Sequence, residues 1–225
     1  MEKVTHERMF RFSGKILFWQ NRRSILSRLP PLPKEKEVRV LVACEESQAG
    51  CIAFRKRGHD AFSCDIQPCS GGHPEWHIQK DVLLVLLQGW DMLIAHPPCT
   101  RSCNSGVRWL WERNLWGEMR EGAEFFKKLL YCNIQKKCIE NPIPHKYALE
   151  IIGRKYDQII QPWQHGHGET KATCFWIDGL SLLKPTKIVA GRENRIHRLS
   201  PGPNRGMERS KTFPGIAKAM AEQWG

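Results

Sequence analysis

Val38-Arg39-Val40-Leu41-Val42-Ala43, running into Cys44-Glu45-Glu46-Ser47-Gln48-Ala49-Gly50, is the stretch from which the fold is read. The first six residues are apolar and β-branched with a single charge, the pattern of a strand buried on both faces. A helical stretch from about Ser47 to Arg57 follows and stops at Gly58. Ala61-Phe62-Ser63-Cys64 then reads as a second strand, ending on Asp65, and residues 66–76 as a Pro/Gly/Ser/Cys loop. Beyond it, Val82 to Leu87 reads as helix and Asp91-Met92-Leu93-Ile94-Ala95 as strand. A polar loop is expected from His96 to about Arg108, and a helix from roughly Leu115 to Cys132. Lys137-Cys138-Ile139 is expected to be a strand ending at Glu140-Asn141-Pro142, Gln158-Ile159-Ile160 a further strand, and Gly215 to Trp224 a helix. Short apolar strands alternating with helices predict an α/β protein with a doubly wound, mostly parallel sheet.

Upstream, Pro30-Pro31-Leu32-Pro33 breaks any helix and reads as a stiff linker. The expected organisation is a basic extension over 1–36 and one domain over 37–225, a size that can bury a core. The formal net charge of +12 is confined to two places. Residues 1–36 carry nine Lys/Arg against three acids, and residues 184–211 carry eight against two. A neutral body with two basic patches is the footprint expected of a protein that meets phosphates, which points to a nucleic acid. Within the second patch, 183–209 is Pro/Gly/Arg-rich with no helix or strand pattern of its own, and reads as a reduced recognition segment. The nine cysteines are odd in number and scattered, so reduced thiols are expected rather than a disulfide framework. The longest apolar run is Val82–Leu87, far too short for a membrane span, and nothing resembles a signal peptide, so a cytoplasmic protein is expected.

In sheets of this kind ligands bind beyond the carboxyl ends of the strands. The residues there are Cys44-Glu45-Glu46, Asp65, His96-Pro97-Pro98-Cys99 and Glu140-Asn141-Pro142. An acid closing the second strand suits ribose hydroxyls. The first turn has only one glycine, so a close pyrophosphate approach is disfavoured. A cofactor with a ribose and no phosphates, S-adenosylmethionine, fits better. The Pro-Pro-Cys run holds Cys99 rigidly at the mouth of a strand; the plain alternative is an inert thiol.

With Ile94–Thr100 and Glu140-Asn141-Pro142 in place, the chain resembles the DNA cytosine-C5 methyltransferases, in particular compact phage-type members without a large recognition domain. Val38–Gly50, Cys64-Asp65-Ile66, Lys80-Asp81-Val82, Asp91–Thr100 and Cys138–Pro142 resemble successive family motifs, and Thr212–Trp224 the closing one that returns to the cofactor pocket. The resemblance implies a Rossmann-like class I S-adenosylmethionine-dependent fold and methyl transfer to C5 of cytosine in DNA. It implies Cys99 as nucleophile at C6 and Glu140 against N3 and N4 of the base. Cofactor contacts are implied for Cys44, Glu45, Asp65 (ribose), Ile66, Asp81 (adenine amine), Val82, His96 and Pro98. The family's arginine-bearing motif has no arginine in 161–173, where Gln164 and Lys171 are the nearest candidates. These two, with Asn141, Arg195, Arg198 and Arg205, are the expected nucleic-acid contacts. Methylation of RNA or nucleotide pyrimidines, and a catalytically silent nucleic-acid-binding regulator, are the alternatives. Cys64, Cys69, His73 and His77 have spacings that could make a zinc site, but Cys64 is expected to point into the core, and no metal is assigned.

Overall fold

The computed structural model describes residues 37–202 and 205–225. The expected 1–36 extension and its linker lie outside the described residues. A seven-stranded sheet runs in the order β3-β2-β1-β4-β5-β7-β6. Its strands are β1 (Arg39–Ala43), β2 (Asp60–Asp65), β3 (His77–Gln79), β4 (Met92–Ala95), β5 (Lys136–Pro142), β6 (Gln158–Ile160) and β7 (Thr173–Asp178). β1 through β5 pair in parallel, while β7 lies antiparallel to both β5 and β6. That order with one reversed strand is the sheet of the Rossmann-like class I methyltransferase fold. Strand order reverses between β1 and β4, so the ligand crevice falls at their carboxyl ends.

The helices are α1 (Ala49–Arg55), α2 (Val107–Glu112), α3 (Trp116–Leu130), α4 (Lys146–Ile152), α5 (Arg195–Arg198), α6 (Arg205–Ser210) and α7 (Pro214–Trp224). Alternation along β1 explains the two-layer core. Leu41 and Ala43 face one cluster, with Met119, Ala123, Phe126 and Leu130 from one stripe of α3. Val40 and Val42 face the other, with Phe54 of α1 and Ile216, Met220 and Trp224 of α7. Phe126 meets Trp176 of β7 edge-on at 4.8 Å, and its burial contributes about 1.5–3 kcal/mol. Buried Lys137 donates to the carbonyls of Leu130 (3.0 Å) and Cys132 (2.8 Å), satisfying acceptors at the end of α3.

Several expectations are corrected. Val82–Leu87 is a 3-10 turn over Val82–Leu84 only. Asp81 accepts from the Leu83 N–H, and Trp90 Nε1 donates to the Val85 carbonyl, while Leu84 and Leu87 are exposed. Glu140-Asn141-Pro142 does not follow a strand but completes β5, because β7 pairs alongside it. β3, β7, α2 and α4 were not anticipated. The 183–209 segment contains short helices, α5 and the first residues of α6, where none was expected.

Candidate active site

The loop after β4 begins with His96, whose N–H still bonds the Ala43 carbonyl at 3.0 Å. Pro97 and Pro98 then forbid further pairing, and the chain turns at Cys99. The Cys99 carbonyl accepts from the N–H groups of Ser102 (3.1 Å) and Cys103 (3.2 Å) and from Ser102 Oγ (3.2 Å). At Gly106 a Cβ would stand 2.7 Å from the Thr100 carbonyl oxygen, so the turn requires glycine there.

This loop is tied to the end of β5. Ser102 Oγ lies 3.0 Å from Asn141 Oδ1. The Asn104 N–H donates to the Ile143 carbonyl (2.9 Å) and the His145 N–H to the Ser102 carbonyl (3.0 Å). His145 Nδ1 accepts from the Ala148 N–H, capping α4, so Nε2 carries the proton it donates to the Arg101 carbonyl at 2.8 Å. Asn141, expected among the nucleic-acid contacts, is 1% exposed and turned to the Cys99 loop.

Glu140 Oε2 is 2.8 Å from His96 Nδ1, with the two side chains only 13% and 9% exposed. Burial alone would raise the Glu140 carboxyl, but the His96 hydrogen bond and the charges of His96 and Lys171 outweigh it and hold it below the usual carboxylate value. Burial likewise opposes charge on His96, and Glu140 and Glu45 overcome it, raising the imidazole above its ordinary value. Lys171, on the segment leading into β7, lines the same small cavity as His96, Glu140, Phe175 and Phe213. Its volume of about 10 Å³ admits a single water.

The Cys99 thiol is hydrogen-bonded to Cys103; with burial and the neighbouring Cys103 and Glu140 charges, this pushes Cys99 above the ordinary thiol range. Cys103 is drawn the other way by the Cys99 hydrogen bond, helped by Ser105 and the Gly106 N–H. Held against each other in this way, the two thiols ionise as a pair.

At the turn after β1, buried Glu45 turns back to accept from the N–H groups of Gly50 (2.6 Å) and Cys51 (3.1 Å). The carboxylate occupies the first amides of α1, leaving no place there for a phosphate. Burial raises the Glu45 carboxyl, against the pull of His96 and these amides. Cys44 takes φ +57° at the end of β1, and burial raises its thiol. Asp65 uses Oδ1 on the Gln67 N–H, and Asp81 uses Oδ1 on the Leu83 N–H. Ile66 beside Asp65 is 68% exposed. Val82 is in the core, and Pro98 is exposed. Two acids at neighbouring strand ends, an open apolar side chain and an occupied helix terminus fit a nucleoside cofactor without phosphates.

The remaining expected residues are spread more widely. Gln164 Oε1 accepts from the Gln161 N–H, closing a 3-10 turn. Arg195 pairs with Glu169 at 2.8 Å, Arg205 Nε donates to the Leu199 carbonyl, and Arg198 is exposed on α5. Arg195 and Lys211 border a cleft of about 390 Å³ with Ser47, Ser70 and Phe213, beside the turn after β1. Thr212–Trp224 was expected at the cofactor pocket; Thr212, Phe213, Ile216 and Met220 line the Glu140 cavity. Ser102 and His145 were not expected at the site; the histidine had a residue type that could have drawn attention, and the serine had none. Among the described residues no group of three or more His, Cys, Asp or Glu is disposed to hold a metal. Cys64 is in the core, and His77 bonds Ser63 and the Gln67 carbonyl. No helix among the described residues is long and apolar enough to cross a membrane.

Fold and crevice define a class I methyltransferase architecture. No protein-family model and no curated protein matches the chain. Among solved structures, it is similar to a protein described as a candidate DNA modification methyltransferase encoded within an E. coli prophage, at 15% identity and a TM-score of 0.44, over 68% of this chain and 52% of that one. It is also similar to the Entamoeba histolytica methyltransferase EhMeth, at 16% and 0.43, over 76% and 62%. A third is an antibiotic-related methyltransferase, at 9% and 0.32, over 64% and 88%. The chain thus spans about half of the first structure and under two thirds of the second.

Proposed function

We propose that the chain transfers a methyl group from S-adenosylmethionine to C5 of cytosine in DNA, through a covalent bond between Cys99 Sγ and C6 of the base. The observation that carries this reading is the pinning of the Cys99 loop to the strand end that bears Glu140, through Asn141–Ser102 at 3.0 Å. A nucleophile and the His96–Glu140 pair held by one hydrogen-bonded unit suit addition to a ring that must take up a proton as it is attacked.

S-adenosylmethionine, when bound, supplies an electrophilic sulfonium methyl. Asp65 and Asp81 would hold its ribose and adenine, with Ile66 against the ring. Cys99 Sγ adds at C6 as its proton passes to Cys103, N3 takes a proton from the His96–Glu140 pair, and the enamine so formed makes C5 nucleophilic. Glu140 faces the Watson–Crick edge, and Lys171 takes the place of the absent arginine beside it. After transfer, water takes the C5 proton, the C5=C6 double bond re-forms, N3 returns its proton to the His96–Glu140 pair, and Cys99 leaves as a thiolate that recovers its proton from Cys103. A cavity of about 10 Å³ is far smaller than a base, so cytosine enters only once Phe213 and Lys171 swing aside. The base must also leave its stack to reach that depth. The short, arginine-bearing α5 and α6 suit phosphate contacts better than a major-groove reader, so loose sequence specificity is expected.

The test is mass spectrometry of nucleosides from DNA, RNA and free nucleotides, each incubated with the full chain and cofactor. 5-Methylcytosine from DNA is expected. Product from RNA alone, or no product, refutes the proposal.

A further inference from the structure

Directly after the Cys99 loop, with Gly106 as its N-cap, α2 runs from Val107 to Glu112. Leu110 is fully buried and fixes the helix to the core, which leaves Arg108 and, just past the helix end, Arg113 exposed. Both guanidinium groups lie against the same half-buried indole: Arg108 Cζ and Arg113 Cζ are each 4.2 Å from the Trp109 ring centroid. Twice that distance is the most that can separate the two charges, about one Debye length at physiological salt. Glu112 is one turn on from Arg108 and next to Arg113, yet among the described residues neither arginine makes an ion pair or a hydrogen bond. Arg101, earlier in the same stretch, is instead committed to Glu118 at 2.9 Å.

Two like charges held on one ring, with no carboxylate between them, repel each other, and packing alone does not explain the arrangement. Stacking on an indole holds a guanidinium by its face and leaves its N–H edge, a planar fork of donors, directed away from the ring. We propose that Arg108 and Arg113, held on Trp109, form a phosphate clamp that takes the DNA backbone beside the Cys99 loop. The inference rests on DNA being the substrate, as read above, and not on the chemistry at C5. Duplex DNA places a negative charge about every 1.7 Å along its axis, so a backbone lying along α2 gives each guanidinium a phosphate and relieves their repulsion. Paired N–H···O contacts to phosphate oxygens are what this fork is shaped to make.

The surroundings suit the same partner. Trp111, on the other flank of α2, is 66% exposed and is held edge-on by Trp116 at 4.6 Å and by Tyr147 at 6.3 Å. Tyr147 in turn carries exposed Lys146, whose Nζ is 5.0 Å from the ring centroid. Cations interleaved with fixed aromatic rings are the make-up of nucleic-acid surfaces. The clamp is also tied to the nucleophile, because His145, beside Lys146, donates to the Arg101 carbonyl within the loop at 2.8 Å. A strand seated on Arg108 and Arg113 is thereby positioned relative to Cys99 through contacts that carry no sequence information. The body between the two basic patches is neutral overall, so this pair becomes visible only in the fold.

The test is fluorescence anisotropy of a short fluorescein-labelled DNA duplex titrated with the full chain across salt concentrations, alongside formation of 5-methylcytosine. In Arg108→Gln/Arg113→Gln, the plot of log affinity against log salt is expected to flatten by about 0.9 for each lost phosphate contact, about 1.8 in all. Arg108→Lys/Arg113→Lys keeps both charges but not the fork, and is expected to keep the wild-type slope while binding more weakly. Lys127→Gln/Lys128→Gln removes the same charge from the last turn of α3, which leads to the opposite, amino end of β5, and sets the effect of net charge alone. A slope in the arginine-to-glutamine pair no flatter than in that lysine pair overturns this inference alone. If the arginine-to-glutamine pair fails to fold, Arg108→Gln decides: a slope flatter by about 0.9 supports the clamp, and a slope unchanged from the wild type overturns it. A wild type that does not bind the duplex refutes both the DNA reading and the inference. One that binds it without forming 5-methylcytosine refutes the C5 reading, while the slopes still decide the clamp.

Discussion

Asn141→Ala removes the hydrogen bonds that Asn141 makes with Ser102 Oγ (3.0 Å, buried) and the Pro142 carbonyl (2.5 Å, half-buried). At roughly 0.5–1.5 kcal/mol net for each hydrogen bond, the loss is about 1–3 kcal/mol. For a fold of this size each kcal/mol shifts Tm by about 2–4 °C, so a central loss of 2 kcal/mol predicts a fall of about 4–8 °C. Ser102→Ala leaves Asn141 Oδ1 buried with no partner from Ser102 and is expected to cost a similar amount. The double variant should lose less than the sum of the singles, by about 0.5–3 kcal/mol, because the second change finds the contact already gone. Thermal melts of the full chain and its three variants complete the cycle. Each single variant should also slow capture of Cys99 by 5-fluorocytosine DNA. Costs that simply add, with capture unchanged, would refute the claim that this contact holds the nucleophile loop in place.

5-Fluorocytosine DNA is expected to trap the wild type in a cofactor-dependent adduct, and Cys99→Ala to give none; peptide mapping of the adduct to Cys103 would reject Cys99 as nucleophile. Asp65→Ala should weaken cofactor binding by about 1.5–3 kcal/mol if the carboxylate accepts from ribose hydroxyls, measured by calorimetry; unchanged affinity in a folded variant contradicts the role. His167 Nε2 accepts from the Gly215 N–H at 2.9 Å, and burial depresses its imidazole. Its contribution is therefore complete above the unfolded imidazole value, near 6.5, and is lost as pH falls through the lower folded value. Urea midpoints should decline below about pH 6.5 and decline less steeply in His167→Gln; parallel curves would dismiss the effect.

β1 was legible because a strand covered on both faces must be apolar at every step, and Val40, Leu41 and Val42 are all fully buried. Val82–Leu87 misled for a related reason. An unbroken apolar run has no period, and here the Asp81 cap closes a single turn instead of starting a helix. The end of β5 was misplaced because strand length depends on the partner. Glu140 pairs with Phe175 and Asn141 with Cys174, contacts made by a strand that no local pattern announced. At the site, residues that end strands could be listed beforehand. The His96–Glu140 pair could not, since it depends on β4 and β5 being neighbours in register, Ala95 opposite Ile139. Lys171 reaches Glu140 only because β7 runs back against β5.

The reversed strand also sets an order of events during synthesis. Chains emerge from the ribosome N-terminus first, at roughly 5–20 residues per second. β1, β2 and β4 can pair as they appear, and β5 can dock beside β4. Until Thr173–Asp178 has followed, however, the far side of β5 is a bare sheet edge. The carboxylate of Glu140 sits on that unfinished margin. The cavity beside it also needs Phe213, Ile216 and Met220, which emerge later still. A nascent chain can thus hold a nearly complete parallel sheet while lacking the cavity beside Glu140, and pausing or truncation in the interval would expose the strand best able to pair with another copy.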